Sequence, residues 1–144
     1  MLDGARFFAY ATWAIMISLG IMIFSHQFVF LTDNSPVSLA IWVLAFGVMY
    51  GNFTYAAIKR YIKKVPAPTN THMLLSALIF APPAAWLLTI GNNPISINLL
   101  IIAVLAGSIV LGNHFGNIRG IKDRYDYVQK LKEYQKKEGE KNAL

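Results

Sequence analysis

The sequence contains no cysteine, which excludes disulfides, thiolate metal sites, iron–sulfur clusters and covalent c-type haem attachment. It is also short of charge: 14% of its 144 residues are Asp, Glu, Lys or Arg, against roughly a quarter in an ordinary soluble domain. Arg6 and Asp33 are the only charged residues from Gly4 to Ile58, and none falls from Val65 to Ile118. A chain this apolar over that length cannot build a water-facing surface. Its three histidines and seven acidic residues lie mostly near or beyond the ends of the apolar runs, so few side chains remain to hold a buried metal.

What is present is hydrophobic sequence, 56% of the chain, gathered into four runs at about 7–31, 37–58, 73–90 and 95–118. At about 1.5 Å per residue even the shortest covers roughly 27 Å, close to the thickness of a bilayer's hydrocarbon core. Backbone N–H and C=O groups find no water partner there, so each run must be helical. The expected fold class is an all-α integral membrane protein: four transmembrane helices in an antiparallel bundle, readable as two tandem hairpins, plus a C-terminal amphipathic cytoplasmic helix. Residues 1–118 form the transmembrane domain and 119–144 a basic cytoplasmic tail, helical and then frayed. The first run is too long for a signal peptide and lacks a small-residue cleavage site, so it reads as a retained helix.

With four spans, every one of the 13 Lys and Arg residues falls on the same side as the N-terminus, the 59–64 loop and the tail. The positive-inside rule then places both termini in the cytoplasm. The net charge of +6 is a topology signal, and nucleic acid is not an expected partner. The linkers carry their own signals. Residues 28–31 form an apolar patch suited to the membrane interface, and Pro66 and Pro68 stiffen a spacer at 65–70. Gly91-Asn92-Asn93-Pro94 reads as a tight hairpin between spans three and four, and Pro82-Pro83 should bend span three.

Spans two and four resemble each other. Both open just after a proline, Pro36 and Pro94, and at their ends Gly47-x-x-x-Gly51-Asn52 matches Ser108-x-x-x-Gly112-Asn113 at an offset of 61 residues. A duplicated two-helix hairpin would give this pattern, with a pseudo-twofold axis along the membrane normal. The matched residues have a physical use. Gly47 and Gly51, and then Ser108, Gly112, Gly116 and Gly120, recur every four residues, and small residues at that spacing let helix backbones approach closely in lipid. They are the expected helix-packing residues, within the chain or against a partner.

Three amides, Asn52, Asn113 and Asn117, are the candidate polar or ligand-binding positions, because an amide in lipid needs a hydrogen-bond partner. His114 stands about 200° around its helix from Gly112, away from the glycine seam, and His72 opens span three on the same side of the membrane. Two such histidines on different helices could ligate one haem iron through neutral imidazole nitrogens. Trp13, Trp42 and Trp86 suit interfacial anchors. In the tail, Ile121, Tyr125, Val128 and Leu131 make an apolar stripe that could extend span four, lie on anionic lipid or dock on a partner.

No nucleophile with a base, no metal cluster and no ionisable coupling site at membrane depth is visible, so an enzyme acting by itself is not expected. The expected role is a non-catalytic accessory or structural subunit of a membrane complex, acting through helix packing. Its partners would be lipid and other membrane subunits or copies of itself; bound lipid is expected, and no cofactor. Two alternatives stay open: a small channel or carrier for an uncharged polar solute, and a bis-histidine haem or quinone-binding redox subunit.

Overall fold

The computed structural model describes residues 2–26, 35–64, 70–89 and 93–144. The interfacial patch at 28–31, the proline-rich spacer at 65–69 and the first residues of the 91–94 turn lie outside the described residues.

Four helices make up the described chain: α1 (Leu2–Ser25), α2 (Pro36–Lys64), α3 (Thr71–Thr89) and α4 (Ile95–Asn142). Each is long and apolar enough to cross a membrane. Their outward faces agree with that reading. Phe8, Met16, Ile23, Leu44, Leu100 and Leu111 are all more than half exposed, an apolar surface far larger than water tolerates.

The sense of each helix follows from its contacts. Ser18 meets Tyr50 while Tyr10 meets Tyr61, so α1 and α2 run in opposite directions. His72 bonds Asn113 while Asn98 reaches Leu87, so α3 and α4 do too. Between the hairpins the direction is shared: Ser18 pairs with Ile79 and His26 with Trp86, and along α2 and α4 the contacts step together from Gly47 and Ser108 to Ile62 and Gly120. The core is filled by Phe46, Tyr50, Ile58 and Tyr61 of α2 with Leu75, Ile79 and Leu87 of α3 and Ile101 and Leu105 of α4.

One end of the bundle gathers the basic residues. There the Arg6 guanidinium donates to the Lys64 carbonyl at 3.4 Å, near the C-terminal end of α2 where carbonyls lack helical partners. The Tyr61 hydroxyl donates to Thr71 Oγ1 at 2.7 Å, joining the end of α2 to the start of α3. Asp123 of α4 meets Lys59 at 3.5 Å and Arg119 at 3.2 Å. The opposite end is closed by amides and aromatics. Asn98 Nδ2 donates to the Leu87 carbonyl at 3.0 Å, serving one of the last turn of α3, and Trp86 Nε1 donates to His26 Nδ1 at 2.9 Å.

Pro82 and Pro83 lie inside α3, which stays helical from Thr71 to Thr89. The tail continues α4 as the same helix rather than forming a separate element, and helical geometry passes Lys136, where the composition points to fraying, to reach Asn142. Asp126–Lys130 and Glu133–Lys137, acid before base at four-residue spacing, favour that continuation. Every residue from Tyr125 to Leu144 is exposed.

Candidate functional site

The most extensive helix contact joins α2 to α4, and all six small residues singled out in the sequence lie in it. A Cβ on Gly47 would stand 2.9 Å from Ser108 Oγ, and one on Gly51 3.3 Å from the Ser108 carbonyl oxygen. One on Gly112 would collide with the carbonyl oxygen of Gly51. On Gly116 it would come within 2.8 Å of the Tyr55 carbonyl oxygen, and on Gly120 within 2.8 Å of Ile62 Cβ. The two backbones therefore touch over four turns, as small residues permit in an apolar medium. The repeat gains a spatial meaning, because Gly47 lies against Ser108 and Gly51 against Gly112, the residues matched at an offset of 61.

Two grooves flank this pair on opposite faces of α4. The first, of about 420 Å³, runs between α2 and α4 and is lined by Gly47, Gly51, Ser108 and Gly112, with Val48, Asn52, Tyr55, Leu111 and Phe115 along its sides. Asn52 is exposed there and has no hydrogen-bond partner among the described residues.

The second, of about 500 Å³, lies between α3 and α4. Its lining is graded along the helix axes. Toward the basic end stand His72, Asn113, His114 and Asn117, with Ser76 one turn further in; deeper lie Ala77, Phe80, Ala106, Ile109 and Val110. His72 Nδ1 lies 2.8 Å from Asn113 Oδ1. An amide oxygen only accepts, so with Oδ1 turned to the ring Nδ1 carries the hydrogen, and in the neutral imidazole Nε2 presents its lone pair. Ser76 Oγ is buried in the same wall without a hydrogen-bond partner among the described residues. Among the described residues no cluster of three or more His, Asp or Glu exists that could hold a metal ion.

Of the residues the sequence nominated, Asn113, Asn117, His72 and His114 thus come together in one groove, while Asn52 lines the other. The three amides do not surround a common passage. Ser76 and Phe80 were missed, although the spacing of His72, Ser76 and Phe80 places them on one face of α3, just as Asn113 and Asn117 share a face of α4.

Comparison with protein-family models, curated proteins and solved structures finds no match. Function therefore has to be sought in the site itself, since a four-helix bundle alone implies none.

Proposed function

We propose that the chain is a non-catalytic subunit of a multi-subunit membrane assembly, an antiparallel four-span bundle with both termini in the cytoplasm, and that it docks a transmembrane helix of another subunit along the outer face of α2 and α4. The observation that carries this is Asn52. Its amide stands exposed beside a groove floored by Gly47, Gly51 and Gly112. Two turns separate it from Lys59, so it lies about 10 Å inside the basic boundary of the bundle. An amide facing hydrocarbon lacks the hydrogen bonds that water would supply, and a neighbouring helix restores them; such bonds contribute about 0.6 kcal/mol on average and up to about 2. The shallow glycine floor adds the close approach on which helix association in lipid depends.

The test is a native gel of membranes solubilised in mild detergent, with the chain located by mass spectrometry and a photocrosslinker placed at Val48 or Leu111. Migration in a large assembly, crosslinks to another chain, and loss of both in Asn52→Leu are the expected results. A monomer with unchanged migration in Asn52→Leu overturns the proposal, and crosslinks only between copies of this chain replace the foreign subunit with a homo-oligomer.

A further inference from the structure

The groove between α3 and α4 has a composition the assembly role does not use. Its volume, about 500 Å³, falls within the range of small-molecule sites. Among the described residues neither Lys nor Arg lines it, and neither Asp nor Glu. A phosphate or carboxylate head group would find no permanent cation there, and an ammonium head no anion. The polar groups carry no fixed charge and are of both kinds: in the neutral imidazole the His72 Nε2 lone pair accepts, the Asn117 amide donates and accepts, and the Asn113 amide nitrogen, its oxygen held by His72, donates. Asn117 has no hydrogen-bond partner among the described residues. These groups sit with His114 at the basic end of the groove, the Ser76 hydroxyl stands one turn further in, and the remaining inner lining is aliphatic apart from the Phe80 ring and, nearer the mouth, the Met73 thioether.

We infer that this groove binds the head of a neutral amphiphile bearing carbonyl and hydroxyl groups, of the membrane quinone and quinol class. The head lies among His72, Asn113 and Asn117 and the chain runs inward past Ala77, Ala106 and Val110. A ring carbonyl accepts from the Asn117 or Asn113 amide. A ring hydroxyl donates to His72 Nε2, which the Asn113 bond keeps free of hydrogen in the neutral imidazole. A flat ring suits a wall containing Phe80 and Met73 better than a branched glyceride does, because aromatic and thioether side chains pack favourably against ring faces and edges. The site binds and orients; no electron transfer is assigned to it. Glyceride esters share the neutral carbonyl and hydroxyl chemistry, so they are the source to be told apart.

The experiment uses the purified full chain in lipid nanodiscs, titrated with a decyl-substituted benzoquinone and, separately, with a short-chain diacylglycerol. The quinone is expected to bind saturably at one site per chain. Asn117→Leu and His72→Leu should each weaken it tenfold or more. Val110→Trp, which fills the apolar half of the groove from an exposed position without removing a hydrogen bond, should abolish it, while Val48→Trp in the other groove should leave it unchanged. Circular dichroism and elution volume report folding, and if either polar variant misfolds, Val110→Trp decides. Absence of saturable quinone binding, binding indifferent to Val110→Trp, or binding of diacylglycerol in preference to quinone overturns the inference.

Discussion

The Ser18 hydroxyl donates to the carbonyl oxygen of Ile79 at 2.8 Å, and that carbonyl is the one whose helical partner would have been the N–H of residue 83, a proline. A serine on α1 thus takes the place of the backbone donor missing from α3. The Tyr50 hydroxyl donates in turn to the Ser18 carbonyl at 2.7 Å, so three helices meet at one buried knot.

Removing the serine therefore costs more than one hydrogen bond. Ser18→Ala leaves a buried carbonyl unpaired, and it should destabilise the bundle by about 1–3 kcal/mol in detergent unfolding experiments. In a Pro83→Ala background the helix supplies its own N–H, and the same substitution should cost measurably less. Equal costs in the two backgrounds would show that Ser18 does not serve the carbonyl freed by Pro83.

The α2–α4 contact makes a second prediction with an internal control. A methyl on Gly112 meets the Gly51 carbonyl oxygen, a backbone atom that cannot rotate away, whereas one on Gly107, five residues earlier on the same helix, meets nothing within 4 Å. Gly112→Ala should lower stability by about 1–3 kcal/mol through overpacking. Gly107→Ala should be neutral or raise stability by up to about 1 kcal/mol, reflecting the better helix propensity of alanine. Matched thermal unfolding of the two variants reads the difference.

The third concerns the exposed half of α4. Since every residue from Tyr125 to Leu144 is exposed, deletion after Arg124 should leave the unfolding free energy of the isolated chain within about 0.5 kcal/mol of the full-length value. Limited trypsin digestion should cut first among Lys130, Lys132, Lys136 and Lys137. A large loss of stability on deletion would mean that the extension is held to the bundle.

Much of this architecture is legible in the sequence because hydrocarbon imposes simple rules. Four uncharged runs give four helices, and the glycine spacing marks the face on which α4 meets α2. The partner of that face is not legible, because small-residue spacing looks the same whether the opposing helix belongs to this chain or another; the contact between Gly112 and Gly51 assigns it to this chain. The helix limits are harder, since α2 carries on through Lys59, Arg60, Lys63 and Lys64 where hydropathy alone stops at Ile58. The groove was half visible. Asn113, Asn117, His72 and His114 stood out as polar residues in apolar runs, but which amides share a site depends on how α3 leans on α4, and nothing in the spacing separates Asn52 from the rest. The Ser18–Ile79 bond was hidden for a different reason: its acceptor is a backbone carbonyl, which no residue identity announces.

Because Gly112, Gly116 and Gly120 bind α4 to α2 up to the very edge of the bundle, the remaining residues to Asn142 form a cantilever rather than a tether. They reach roughly 28 Å beyond the Lys59–Asp123 ion pair, the last point of support. A tilt of about 10° in the α2–α4 pair sweeps the far end through about 5 Å, so a small rearrangement within the bundle arrives amplified at Lys136, Lys137 and Lys141.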